Sequence, residues 1–278
     1  MNARAAVHDG GIGARRAATG SARAGAARAG LAARGVIYAL VGLLALRIAF
    51  GDGGGRQADR GGALQEIATK PFGAVLLWAL GAGLVGMALW RLSEALFGAA
   101  GQGGGKAGKR LASAGRCVFY GFVAYSVLAF AAGARGSGSG DRQSRDVTAR
   151  ALGMPGGQWI VGAAGVGLVV AGVWIAARAV LRKYHKHLEL GEMSRRVRRA
   201  VDTAGMGGGA ARGAVFAAAG AFAVRAAVEY RPDQARGMDG TLRSFARAPM
   251  GPWLLACVAA GLVLFGLFSF AMARWRRV

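Results

Sequence analysis

The sequence predicts an all-α membrane protein, with six transmembrane helices arranged as three parallel two-helix repeats in a pseudo-threefold bundle. Three observations lead there. First, 54% of the 278 residues are hydrophobic, yet the formal net charge is +23. Both hold together when apolar residues gather in long runs and charges lie between them. Second, the basic residues concentrate in alternate segments between the runs. Third, the runs recur as self-similar pairs.

Residues 1–27 are rich in Gly, Ala and Arg and read as a disordered basic tail. No apolar stretch precedes Leu31, so a cleaved signal peptide is not expected. Six apolar runs follow, at 35–50, 72–90, 117–133, 158–177, 213–228 and 251–273. Their lengths approach the roughly 20 residues that a hydrocarbon core requires. Arg47 and Arg225 fall near the ends of the first and fifth runs, where aliphatic stems let a guanidinium snorkel to the headgroups. Cys117 and Cys257 both lie inside runs, which argues against a disulfide framework.

Charge fixes the threading. The segments up to Arg34, at 91–116, at 178–212 and after residue 273 carry +5, +4, +6 and +3. The alternate segments at 52–70, 135–150 and 229–247 carry 0, +2 and +1. Basic residues are retained on the cytoplasmic side, so both termini are expected in the cytoplasm of a bacterial inner membrane. The excess of Arg over Lys, 31 to 5, fits a GC-rich bacterial genome. Nucleic acid is not expected as a partner, because the charge is segregated from the apolar runs rather than interleaved on a soluble face. The expected partners are anionic lipid headgroups.

Each pair of runs repeats one pattern. "LAARGVIYALVGLLALRIA", "SAGRCVFYGFVAYSVLAFA" and "GAARGAVFAAAGAFAVRAA" align on Arg34, Arg116 and Arg212, followed by Tyr38, Tyr120 and Phe216. Gly42 matches Gly220. Pro71, Pro155 and Pro249 lie 37, 39 and 37 residues beyond those arginines. Gly73, Gly157 and Gly251 come two residues later, Gly83, Gly167 and Gly261 twelve later, and Trp90, Trp174 and Phe268 nineteen later. The period divides the chain into repeats at 28–98, 109–184 and 209–278, with a Gly-rich linker at 99–108 and a basic linker at 185–208. Each repeat holds two spans, so all three share one orientation. In this reading the arginines meet anionic headgroups. The aromatics anchor at the interface. The prolines open the second helix of each pair, and the glycines serve helix packing.

The stretches "ARGVIYALVGLLAL", "GALQEIATKPFG" and "LWALGAGLVGMALWRL", with their weaker counterparts, resemble the bacterial membrane proteins built from repeats of the domain of unknown function 1206. The resemblance covers nearly the whole chain after Arg28 and implies a multi-pass membrane protein with three such domains. It implies no activity, and so no catalytic residue. Cys117 stands in place of the usual glycine after the arginine, and Phe216 in place of the tyrosine.

Other motifs carry less. Gly81, Gly83 and Gly86 spell a dinucleotide fingerprint, but inside an apolar run with no room for a preceding strand. They read as helix-packing positions. "GGGKAGKR" lacks the hydroxyl of a phosphate loop, since Arg110 occupies its place. His185 and Glu189 share a helical face, but two ligands fall short of a metal site. The spans hold no acidic residue for a buried proton relay. Neither enzyme activity, cofactor nor metal is expected. "GALQEIATKPFG", "RDVTARALGMPGG" and "GTLRSFARAPMG" read as short amphipathic helices capping the outer end, with Asp59, Glu66, Arg145, Asp146, Asp239 and Arg243 as their polar residues. A structural or interaction role in the membrane is expected. The alternative is a passive pore or small-solute transporter along the axis, with Gly42 and Gly220 marking where backbone could open.

Overall fold

The computed structural model describes residues 3–51, 57–98, 107–133 and 140–275. Among them the chain is helical, with no strand: α1 (Ala3–Ala49), α2 (Arg60–Ala68), α3 (Gly73–Phe97), α4 (Ala107–Ala131), α5 (Gly140–Leu152), α6 (Gly157–Val180), α7 (Arg195–Val228), α8 (Met238–Ala246) and α9 (Gly251–Trp275). Six apolar helices are long enough to cross a membrane: Ala24–Ala49 of α1, α3, Arg110–Ala131 of α4, α6, α7 and α9. The expected tail is shorter than its sequence suggests. Helix α1 extends back to Ala3, and Ala27 is fully buried, because its small side chain lets the helix pack beside Met87 and Trp90. The glycine-rich linker lies outside the described residues as far as 106.

The packing is cyclic between repeats. The second membrane helix of each repeat packs on the first helix of the next: α3 on α4, α6 on α7, and α9 on α1. Small residues make these seams. A Cβ added at Gly172 would fall 2.6 Å from the Gly213 carbonyl oxygen, and one at Gly220 2.7 Å from that of Gly165. On α1, one at Gly42 would fall 2.8 Å from the Ala259 oxygen, while Gly266 abuts Gly35. Gly42 and Gly220 therefore sit where backbones press together, not where a helix opens. Gly81 faces Leu128 of α4, while Gly83 and Gly86 face Ala29, Ala33 and Ala26 of α1, so the fingerprint-like glycines are packing positions in mid-helix.

Within repeats the symmetry breaks. Helices α1 and α3 pack together, as do α7 and α9, but α4 and α6 share no packed seam. The six spans form an open ring in the order α4, α3, α1, α9, α7, α6. Only 17% of the span is buried in each of α4 and α6, against 44–50% in α1, α3 and α9. Gly167 is the equivalent of Gly83 and Gly261, yet a Cβ there would meet nothing within 4 Å. The same is true of Gly115, which would face it in a closed bundle.

The prolines do not occupy the first helical position but lie two residues before it. Phe72, Gly156 and Met250, immediately after Pro71, Pro155 and Pro249, are left-handed (φ 61°, 72° and 58°). The helix then begins at Gly73, Gly157 or Gly251. Any side chain at these glycines would strike the carbonyl of Ile67, Ala151 or Ala246 at the end of the preceding short helix. Proline and glycine together thus build a hairpin that folds α2, α5 and α8 back over the bundle end.

Candidate anion-binding site

The end bearing α2, α5 and α8 is laced shut by three aspartates, each reaching the next repeat. The Asp59 carboxylate caps α2 at the Gly62 N–H (3.0 Å) and also accepts from the Gly140 N–H (2.8 Å). Asp141 accepts from the Gly240 N–H at 3.0 Å, and Asp239 from the Ala58 N–H at 2.7 Å. The cycle closes from the first repeat through the second and third and back. Asp239 also pairs with Arg243 (2.9 Å), and Glu66 with Lys70 (3.0 Å) and Arg47 (3.8 Å). Arg60 reaches over the Phe122 ring, its Nη2 donating to Ser126 Oγ at 3.4 Å. Desolvation by burial lowers the pKa of this guanidinium. Arg225 pairs with Glu229 on its own helix (2.6 Å). Asp141 is the member of the cycle that sequence reasoning missed. The signal was present: the three aspartates follow Arg34, Arg116 and Arg212 by 25, 25 and 27 residues.

The opposite end, which carries the termini, gathers positive charge on the inside of the ring. The repeat arginines were expected to face headgroups, but Arg34 and Arg212 point inward and lie close enough to repel. Both stand over the Phe265 ring, at 5.1 and 5.0 Å from its centroid. Arg34 Nε donates to Ser269 Oγ at 3.2 Å, and the Ser269 hydroxyl donates to the Phe265 carbonyl at 2.9 Å. Arg212 also stands over Phe216 (5.1 Å) and Tyr38 (5.6 Å), and Tyr38 meets Phe265 edge-on at 4.8 Å. Tyr120 of α4 completes the group, its hydroxyl beside Arg34 and Arg212. Aromatic faces hold guanidinium groups in place and offset part of their desolvation. They do not supply the in-plane acceptors that a guanidinium fork requires. Arg212 Nε is buried with no hydrogen-bond partner, and among the described residues no ion pair joins Arg34, Arg116 or Arg212. Two adjacent cations in this setting form a cradle for an anion with several acceptor oxygens.

Arg116 behaves differently. It is exposed on α4, near Tyr120, Arg91 and Arg178. Arg91 is buried, stacks on Trp90 (4.2 Å) and pairs with Glu94 (2.6 Å), which also accepts from Ser113 Oγ (3.3 Å). The terminal aromatics divide the same way. Trp90 and Phe268 are buried within the bundle, whereas Trp174 is exposed beside Lys183. Each departure of the second repeat follows from the missing α4–α6 contact.

The basic linker is a folded plug rather than a surface strand. Two 3-10 turns, Lys183–His187 and Leu190–Glu192, place Leu188 and Met193 in one apolar cluster with Leu31, Phe268 and Met272. Ser194 caps α7, while His185 pairs with Asp202 at 2.5 Å instead of with Glu189. The Tyr184 hydroxyl donates to the Asp202 carbonyl (3.1 Å) and its ring meets Phe268. Burial, with the Asp202 carboxylate beside it, pushes the Tyr184 phenol up to about 12. Among the described residues no three His, Cys, Asp or Glu side chains are grouped to hold a metal.

With this geometry in view, the comparisons with known proteins agree. The family model "Domain of Unknown Function (DUF1206)" matches three times, at 29–98, 111–182 and 207–276. The chain belongs to the DUF1206 family. It is also similar to the uncharacterized protein YxxB of Bacillus subtilis (strain 168), with 31% identity over 237 residues and 84% of each chain covered. No solved structure matches significantly. Each of the three matched segments of this chain thus comprises one long helix, one cap helix and one glycine-rich helix.

Proposed function

We propose that this protein is a non-catalytic bundle of the bacterial inner membrane, with both termini in the cytoplasm, whose role is to bind and organise membrane partners rather than to conduct solute. The carrying observation is the aspartate cycle, which ties each cap helix to the next around the cap end. A solute path through that end would have to pass inside this ring of bonds. The alternation of basic segments supports the orientation, placing the arginine end at the anionic cytoplasmic leaflet. Nucleic acid has no part in this reading, because most of the net positive charge lies at one end of an apolar bundle.

Two measurements test the proposal. Purified protein in sealed liposomes is expected to pass neither small ions nor uncharged solutes above the rate of empty liposomes; sustained flux overturns it. Fluorescent-protein fusions to either terminus are expected to mature in the cytoplasm, and a periplasmic terminus would reverse the assigned orientation.

A further inference from the structure

The arginine cluster and the open seam share one helix. Tyr120 of α4 packs against the aromatic cluster of Phe265 and Phe268, and Arg34 and Arg212 stand over the Phe265 ring; Arg116 lies four residues before Tyr120 on the same helix. Arg178 on α6 lies near Arg116 from the other side. Gly115 and Gly167 leave open space there, and α4 and α6 both expose large apolar side chains, among them Phe119, Phe122, Val166 and Val170. The basic mouth of the seam lies at the end carrying the termini. We propose that this seam admits one anionic phospholipid, with its phosphate held by Arg34 and Arg212 and its acyl chains lying between α4 and α6.

Charge complementarity selects this occupant. The buried Arg212 Nε needs an acceptor, and two adjacent guanidiniums need a counter-anion. A phosphodiester supplies both. Acyl chains supply the apolar contact that neither glycine face finds within the chain. A second copy of the protein suits the seam poorly. A two-fold related partner shares the same membrane orientation, so its Arg116 and Arg178 would meet their own counterparts at equal depth. A free phosphate would satisfy the arginines but leave the seam unexplained. The inference rests on the proposed orientation and on the proposed non-conducting role.

The test uses full-length protein in phosphatidylcholine nanodiscs containing a minority of phosphatidylglycerol, with retained lipid read by native mass spectrometry after mild delipidation. One phosphatidylglycerol is expected per chain, and inorganic phosphate should not displace it. Arg212→Gln and Arg34→Gln are each expected to weaken retention by about tenfold, the effect of one lost charge-assisted hydrogen bond. Gly167→Leu, which fills the seam and leaves the arginines untouched, should also abolish retention, with an unchanged thermal transition showing that it folds. Retention that survives Gly167→Leu, or that phosphate competes away, overturns the lipid assignment in favour of a free anion. A disulfide between Gly115→Cys and Gly167→Cys that forms rapidly within one chain shows the seam closed and overturns it too. The same disulfide formed between chains assigns the seam to a second copy. Liposome flux reads out the function proposal alone, so either proposal is able to fail without the other.

Discussion

The three equivalent glycines Gly83, Gly167 and Gly261 provide a test in which one substitution has three different expected outcomes. A methyl at Gly261 would overlap Ala211 Cβ and come 3.3 Å from the Gly207 oxygen. Restoring ordinary carbon–carbon contact near about 3.8 Å moves α7 and α9 apart by more than about 1 Å. Overpacking of this kind costs about 1–3 kcal/mol, against a helix-propensity gain of at most about 1 kcal/mol for Gly→Ala. Gly261→Ala is therefore expected to lose about 1–2 kcal/mol, a drop of several degrees in Tm for a chain of this size. At Gly83 the methyl would lie 3.1 Å from the Ala29 oxygen and 3.2 Å from Ala33 Cβ. A shift of a few tenths of an ångström relieves that, so gain and cost nearly cancel. At Gly167 there is nothing to strike, and Gly167→Ala is expected to be neutral or slightly stabilising. Thermal unfolding in detergent, followed by circular dichroism, ranks the three. Equal destabilisation by Gly167→Ala and Gly261→Ala would refute the open seam and restore a closed threefold ring.

Two further predictions follow from the terminal end. Tyr184 has a folded pKa raised from 10.0 to about 12, so its contribution to stability is complete below pH 10 and is lost as pH rises through 12; ultraviolet titration of tyrosinate absorbance should lose one late-titrating phenol in Tyr184→Phe. Arg212→Met in lipid-free detergent is expected to hold or raise Tm, because it removes the repulsion with Arg34 and an unpartnered buried Nε at the loss of three ring contacts; a large loss of Tm would mean that the cation–π stack outweighs both.

Much of this architecture was legible because its signals are local. Spans need only a run of apolar residues, and the arginine, proline and glycine spacings are fixed by what one hairpin requires. The direction of the arginines was not legible. An arginine at the edge of an apolar run satisfies headgroups or a bundle interior equally well, and only the partners on α9 decide that Arg34 turns toward Ser269. The tail boundary misled for a related reason. Alanines and glycines of low hydropathy look unstructured in isolation, but they suit a helix that must lie close to Met87 and Trp90. The linker around Tyr184 reads as a charged surface segment, because its few apolar anchors, Leu188 and Met193, are outnumbered by basic neighbours. The open seam is the clearest case of tertiary structure overriding motif. Gly115 and Gly167 keep the small residues of a closed contact, and nothing in their spacing distinguishes them from the pairs that close.

What holds the second repeat in place is then a question for the caps. Helix α4 is tied to the bundle through α3 and through Arg60 to Ser126, and α6 through α7 and through α5, whose Leu152 carbonyl accepts from the Tyr230 hydroxyl at 2.7 Å. Neither helix holds the other, so the width of the seam is set around the ring and not across it. The aspartate cycle is where the ring is closed at the cap end, and Asp141 is its link from the second repeat to the third. Asp141→Ala removes the acceptor of the Gly240 N–H, a partly buried bond of about 0.5–1.5 kcal/mol. Hydrogen exchange is expected to quicken in α5 and α8 by up to about tenfold, while α1 and α9 keep their protection. Unchanged exchange in α5 would show that the cycle is not what positions the second repeat, and the seam would then owe its width to the membrane helices alone.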